Sequence, residues 1–237
     1  MNIVLTNDDG IDSNGLMLLE NVLKNYGNVY VFAPATQQSA KGCSITCFQG
    51  IDIKKIDEFH YKVFGTPVDC VEAACVILPK IDLIVSGCNN GYNLSNDIMY
   101  SGTCGACIQS SFANIPAIAF SIKNYAYFNL IQNYAKQALD YIFKNNLLGK
   151  NYFLNVNLPI GDLNGIKLTK LDKNVYETYY IIKQENDNYA IERNKINVPT
   201  DIIYDYNCVN EGYISITPLS QNIFDEELFE KVFNKIN

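Results

Sequence analysis

The residues best suited to chemistry stand at the start of the chain, where the apolar run Asn2-Ile3-Val4-Leu5-Thr6 ends in Asn7-Asp8-Asp9-Gly10. Such a run, bounded by turn residues, reads as a buried strand of a parallel sheet, and chemistry in these sheets sits beyond the carboxyl ends of the strands. Adjacent carboxylates repel each other unless a cation or a shared proton neutralises them. Asp8 and Asp9 are therefore read as a site for a hard metal ion; the competing reading makes one of them a cap for the first helix through an Asx turn. A second cluster begins where the strand Ile81 to Val85 opens into a polar loop of twelve residues, Ser86 to Asp97. It leads through Tyr100 to Ser101-Gly102-Thr103, the opening of an apolar helix from Cys104 to Phe112. Two hydroxyls, free backbone N–H groups and the positive end of a helix dipole make a phosphate cradle. A plain N-cap is the alternative, but long polar loops in compact domains are usually functional.

The remaining elements must bring these clusters together. Ser13 to Tyr26 has helical spacing, with Ser13 or Asn14 as cap and Gly27 as terminator. Asn28 to Ala33 forms the next strand, closed by Pro34, and the following loop, Gln37 to Gly42 with Ser39, lies near Asp8 and Asp9 if the two strands are neighbours. Ser44 to Phe48, Ile51 to Ile56 and Tyr61 to Phe64 read as short strands of an antiparallel excursion. Thr66 caps a helix that starts at Pro67 and runs to about Leu78, with Asp69 in its first turn. Strands follow at Pro116 to Ser121 and Tyr152 to Leu158, on either side of an amphipathic helix from Phe128 to Phe143. Ile166 to Ile182 and Tyr189 to Arg193 have an antiparallel pattern, with a tyrosine-rich hairpin from Tyr176 to Ile191, tip Asn186-Asp187-Asn188, suited to lie on another subunit. Pro199-Thr200-Asp201 caps a short helix, Tyr213 to Thr217 is a late strand, and Asp225 to Ile236 is a terminal helix.

A chain of 237 residues fits one α/β domain, and 48% hydrophobic with 18% charged residues is a folded composition. A net charge of −7 disfavours wrapping a nucleic acid polymer or an anionic bilayer, and a small anionic substrate would need a local cation. The N-terminus has no secretory pattern and no window approaches a membrane span, so a cytoplasmic location is expected. Eight cysteines in such a chain read as reduced, buried hydrophobes. Cys104-Gly105-Ala106-Cys107 has the spacing of a redox pair or half a zinc site, without a second close pair to complete one. His60, the single histidine, lies in a polar junction before a strand, which argues against histidine base chemistry.

In order, the blocks Asn7-Asp8-Asp9-Gly10, Pro34 with Ser39 and Ser44-Ile45-Thr46, Gly65-Thr66-Pro67-Val68-Asp69-Cys70-Val71, Asp82-Leu83-Ile84-Val85-Ser86-Gly87-Cys88-Asn89, Tyr100-Ser101-Gly102-Thr103, Asn155-Val156-Asn157-Leu158-Pro159 and Gly212-Tyr213-Ile214-Ser215-Ile216-Thr217-Pro218-Leu219 resemble the signature of the survival protein E (SurE) family of metal-dependent nucleotidases. The resemblance spans nearly the whole chain. It implies a single α/β domain with a Rossmann-like, mostly parallel sheet flanked by helices over residues 1–158. An antiparallel extension over 159–237 is implied to build a homodimer or homotetramer. The implied activity is a 5′-nucleotidase, a phosphoric monoester hydrolase acting on nucleoside 5′-monophosphates, with 3′-monophosphates and short polyphosphate as further substrates. Asp8, Asp9, Ser39 and Asn89 map to ligands of one divalent cation, with Asp8 or Asp9 as the catalytic proton acceptor. Asn93, Ser101, Gly102 and Thr103 map to the substrate phosphate. Two carboxylates, a hydroxyl and an amide oxygen suit Mg²⁺ or Mn²⁺ rather than zinc.

Departures from the family pattern fall at Ala40, at Ser95-Asn96, and at Cys104 and Cys107, where small apolar residues are usual. A signalling receiver domain also has an early acidic pair, but it needs an acceptor aspartate where Ile81 to Val85 runs into Ser86-Gly87. A non-catalytic nucleotide sensor on the same scaffold remains the alternative, because fold does not fix function.

Overall fold

The computed structural model describes residues 1–172, 176–183, 189–195, 201–222 and 226–234. The first strand, β1 (Asn2–Thr6), lies between β2 (Asn28–Pro34) and β5 (Leu83–Asn90), parallel to both. With β4 (His60–Val63), β6 (Ala117–Ile122) and β7 (Phe153–Leu158) the order β4-β2-β1-β5-β6-β7 is parallel throughout. One flank adds β3 (Ile53–Lys55), antiparallel to β4; the other adds β11 (Tyr213–Leu219), antiparallel to β7, and β8 (Gly165–Leu168), parallel to β11. Strands from beyond residue 158 thus extend the main nine-stranded sheet, while β9 (Tyr176–Lys183) and β10 (Tyr189–Lys195) pair with each other. The mostly parallel, helix-flanked sheet is the expected Rossmann-like class.

Alternation along β1 sets the two layers. Ile3 and Leu5 pack with α1 (Asn14–Leu23) and α4 (Ile131–Lys144), while Val4 faces α2 (Pro67–Ile77) and α3 (Gly102–Phe112). Period-two side chains on a strand buried from both faces require apolar residues at successive positions, which Ile3, Val4 and Leu5 supply. From β1 the chain crosses to β2 on one side and reaches β5 on the other, so the order reverses between β1 and β5. In open α/β sheets this reversal opens a crevice at the carboxyl ends of those strands.

Several boundaries differ from the sequence reading. α1 stops at Leu23, and Gly27 marks a close approach to the Met1 carbonyl, where a Cβ would collide. Ser44 to Phe48 forms no strand, because its backbone is held by side chains: Thr46 N–H donates to Asp69 Oδ1 (2.9 Å) and Thr66 Oγ1 donates to the Ser44 carbonyl (2.6 Å). β4 runs parallel to β2 in the main sheet, so of the expected antiparallel excursion β3 alone is antiparallel to its neighbour. β5 continues past Val85 to Asn90 because its pairing with β6 resumes after a register shift, at Asn89–Ser121 and Asn90–Ile122. α4 is preceded by a 3-10 turn, Tyr125–Leu130. The segment after Ile166 is not wholly antiparallel, since β8 runs parallel to β11. α5 spans Asp205–Asn210 and α6 spans Glu226–Phe233. The tip Asn186-Asp187-Asn188, Pro199, Thr200 and residues 225 and 235–237 lie outside the described residues.

Candidate active site

The turn after β1 is shaped by Asn7. Its Oδ1 accepts from Gly10 N–H (3.2 Å), and its Nδ2 donates to the Gly10 carbonyl (3.0 Å) and to Ser13 Oγ (2.7 Å). Ser13 is the N-cap of α1, accepting from Leu16 N–H. The Asx turn and the helix cap therefore belong to Asn7 and Ser13, which leaves both aspartates for other work. Backbone bonds from Gln38 N–H to the Asp8 carbonyl (2.6 Å) and from Ile11 N–H to the Pro34 carbonyl (2.9 Å) lace the loop after β2 onto this turn, as expected for neighbouring strands.

Asp8 is buried and points at the N-terminus of α3. Thr103 Oγ1 donates to its Oδ1 (2.8 Å) and Thr103 N–H to its Oδ2 (3.3 Å). Gly102 makes this approach feasible, since a Cβ there would stand 2.9 Å from the Asp8 Cβ. Ser101 is the N-cap of α3, its Oγ accepting from Cys104 N–H at 3.1 Å. Asp9 is turned the other way and accepts from Asn90 N–H at the end of β5 (3.0 Å). Gln37 also donates to Asp9, and its Nε2 donates to Ser39 Oγ (3.0 Å), so one amide joins the exposed Ser39 to the acidic pair. Asn89, beside Asn90, donates its Nδ2 to the Gly91 carbonyl (2.8 Å).

Burial pushes the Asp8 carboxyl up to about 6; the bonds from Thr103 oppose the shift and the neighbouring Asp9 charge adds to it. Burial also raises Asp9, against the bonds from Asn90 and Gln37. Among the described residues no lysine, arginine or histidine forms an ion pair with either aspartate. The arrangement is thus short of positive charge by its own construction. No group of three or more His, Cys, Asp or Glu side chains is placed to hold a metal ion among the described residues. A cation here would need the hydroxyl and the amide as well as the two carboxylates. That all-oxygen donor set fits a hard divalent ion.

Asn93 is drawn under the loop. Its Nδ2 donates to Ser121 Oγ (2.8 Å), its N–H donates to Asn157 Oδ1 (3.0 Å), and its carbonyl accepts from Asn155 Nδ2 (2.8 Å) and Asn157 Nδ2 (3.0 Å). These bonds fix the backbone beneath α3. Gln37 and the asparagines of β7 escaped the sequence reading as site residues. For Asn155 and Asn157 a signal existed, two amides on one face of a buried strand that must find partners.

Cys104 and Cys107 are buried and all eight cysteines are free, but Cys43 and Cys47 are exposed rather than buried. His60 opens β4, at the amino end of a parallel strand and thus across the sheet from the crevice. There it stands between Asp57 (2.8 Å) and Glu20 (3.2 Å).

Comparison with known proteins adds a family to this geometry. Residues 3–178 match the family model described as Survival protein SurE. The chain is 36% identical to the 5′-nucleotidase SurE of Thermosipho melanesiensis, over 98% of this chain and 96% of the relative. It is 34% identical to the 5′-nucleotidase SurE of Clostridium botulinum strain Alaska E43, over 92% and 93%. The crystal structure of the SurE protein from Aquifex aeolicus superposes with a TM-score of 0.89 at 30% identity, covering 100% of both chains. A match along nearly the full length, in sequence and in fold, means that the chain belongs to the SurE family.

Proposed function

We propose that this protein is a 5′-nucleotidase that hydrolyses nucleoside 5′-monophosphates with one divalent cation, Mg²⁺ or Mn²⁺, held by Asp8, Asp9, Ser39 and Asn89. The observation behind this reading is the pair of desolvated carboxylates at the β1–β5 crevice, Asp8 facing the N-terminus of α3 and Asp9 the end of β5, with no cationic side chain paired to either among the described residues. The names of the SurE relatives support the same activity.

Held by Asp8, Asp9, Ser39 and Asn89, a divalent cation would supply Lewis acidity toward the phosphate and would make a nearby water more acidic. The chain's own groups do the rest. The start of α3 holds the phosphate through the Ser101 hydroxyl and the Gly102 N–H, assisted by the helix dipole, with the Thr103 N–H shared between the phosphate and Asp8 Oδ2 at 3.3 Å. Thr103 Oγ1 fixes the Asp8 carboxylate at 2.8 Å, so phosphate and carboxylate are registered against one turn of helix. Gln37 does the same for Asp9 and Ser39. Asp8 or Asp9 takes the proton of the attacking water. Asn93 acts through the loop it anchors. Nucleoside 3′-monophosphates and short polyphosphate present the same phosphoryl chemistry and belong to the substrate panel.

The hairpin β9–β10 has no third strand among the described residues. A lone hairpin is marginal in water, which favours a homodimer or homotetramer assembled through the extension. No helix among the described residues is long and apolar enough to cross a membrane, and eight free cysteines suit a reducing compartment such as the cytoplasm.

The test is phosphate release from nucleoside 5′- and 3′-monophosphates with Mg²⁺, Mn²⁺ or a chelator. Cation-dependent release is expected. Tight nucleotide binding with no release from any phosphomonoester would replace the enzyme by the sensor.

A further inference from the structure

The loop that joins β5 to α3 is held from beneath at alternate residues. Gly91 N–H donates to the Ile122 carbonyl (2.8 Å), and Asn93 is bound by Ser121, Asn155 and Asn157. The next hold is at Ser95, whose N–H donates to Asp205 Oδ2 at 2.9 Å. The first two anchors are strands of the central sheet; the third comes from α5, 110 residues later in the chain. Ser95 has φ +53°, so the loop reverses in a left-handed conformation at the point where Asp205 grips it. One 3-10 turn, Ser95–Met99, then carries the chain to Ser101.

Asp205 is fully buried and holds more than the loop. Its Oδ1 accepts from Asp172 N–H (3.0 Å) and from Tyr206 N–H (2.8 Å). Lys170 N–H donates to the Ile203 carbonyl (2.7 Å) and Asp205 N–H to the Lys170 carbonyl (2.9 Å), so segment 170–172 is zipped onto segment 203–205. Asp172 stands four residues before Tyr176, where β9 begins. One carboxylate therefore joins the loop ahead of α3, the foot of the β9–β10 hairpin and the first turn of α5.

We propose that Asp205 is a positioning residue for the active site, which fixes the loop presenting Ser101, Gly102 and Thr103 and couples it to the foot of the hairpin. The proposal rests on the nucleotidase reading for its kinetic consequence, and on the hydrogen bonds alone for the coupling. Charge-assisted bonds to a buried carboxylate are among the stronger ones, and losing the acceptor leaves N–H groups buried without partners. A loop freed at Ser95 lets the start of α3 shift, and with it the bond between Thr103 and Asp8. Misplacing a site by about 1 Å can lower the rate on the order of 100-fold.

The experiment combines kinetics with amide hydrogen exchange. Asp205→Asn, assayed at a temperature where circular dichroism shows it folded, is expected to lower kcat/KM by about 10- to 100-fold. Exchange at the Ser95 and Thr103 amides should quicken in the variant, while Val4 and Leu5 in β1 keep their protection. Unchanged kcat/KM with unchanged exchange at Ser95 overturns the proposal, whatever the variant's melting temperature. If the variant does not fold, the wild-type protein decides. The Ser95, Asp172 and Tyr206 amides should then exchange as one cooperative unit and slow together when inorganic phosphate and Mg²⁺ are added. Independent exchange of Ser95 overturns the coupling. A wild-type protein that releases no phosphate from any nucleotide defeats the nucleotidase reading, and the exchange measurement still tests Asp205.

Discussion

Two helices, α2 and α3, begin side by side above the same layer of core, and the N-terminus of each meets a buried carboxylate. At α2 the carboxylate is Asp69, local to the helix. It closes a capping box with Thr66 and also accepts from Thr46 N–H (2.9 Å) and Thr46 Oγ1 (2.7 Å). At α3 the carboxylate is Asp8, delivered from β1. Among the described residues it accepts from Thr103, with the second bond at 3.3 Å, and from its own backbone N–H, and it carries Asp9 as a charged neighbour. The same electrostatic setting, a helix dipole beside an anion, therefore serves two ends. Asp69 is saturated by donors and ties a loop down; Asp8 is held by Thr103 beside a second carboxylate and, on the proposed function, takes an added cation. What separates the two carboxylates is the set of groups around them, donors from a tied loop for Asp69 and a like charge for Asp8, rather than burial.

The largest expected effect separates the two aspartates by activity. Asp8→Asn should lower kcat by about 1,000-fold or more, the scale of lost transition-state electrostatics, with the fold retained by circular dichroism. Near-normal turnover in this variant would erase the distinction. Asp69→Asn should do the reverse. Steady-state kinetics on the folded variant should stay close to wild type, while urea unfolding should reveal a loss of about 1–3 kcal/mol from donors left unpaired.

Cation binding sharpens the contrast. A divalent ion at a hundredfold excess over its Kd should stabilise the wild-type protein by about 2.7 kcal/mol through linkage, seen as a rise in Tm that a chelator reverses. Asp8→Asn should abolish that rise and Asp69→Asn preserve it.

The pH dependence of the metal-free protein provides a further handle. Asp8 titrates near 6 in the folded protein, against an ordinary value of 3.8. Between those values the folded state binds the extra proton, so the contribution of Asp8 to stability is fully present below about pH 4 and is lost as pH rises through 6. The expected loss is on the order of 3 kcal/mol, and burial of Asp9 acts in the same direction. Denaturant titrations across pH 4 to 7 should follow this course in the wild type and flatten in Asp8→Asn. The smallest effect is expected from Cys104→Ala with Cys107→Ala. Two buried thiols without a disulfide leave small cavities, so activity should persist with a loss of about 1–2 kcal/mol in urea. A collapse of activity there would restore a chemical role to the pair.

Much of this architecture was legible because the signals are local. The run Ile3-Val4-Leu5 announced a strand buried on both faces, and Thr66-Pro67 with Asp69 announced the start of α2, each through short-range sterics or a capping bond. Ser101 was legible as an N-cap for the same reason. The misreadings involve partners distant in sequence. Ser44 to Phe48 has the composition of a strand but takes its hydrogen bonds from Thr66 and Asp69. Ser86 to Asn90 has the composition of a loop yet continues β5, because β6 supplies a ladder for it. Nothing near Gln37 marks it as the link between Asp9 and Ser39, and nothing near Asp205 marks it as an anchor for Ser95.

The sequence by itself determined the strand that ends in Asp8-Asp9, the hydroxyl-bearing start of α3 and the family to which both point, since these depend on residue type and short spacing. Only the tertiary structure decided that Asn7 and Ser13 take the turn and cap, that Asn93 faces inward, and that the C-terminal segment grips the loop through Asp205. The physical reason is the reach of the interactions. Backbone preferences and caps act over a few residues, whereas a buried donor is satisfied by whichever acceptor the packed layers bring within about 3 Å, however far along the chain it lies.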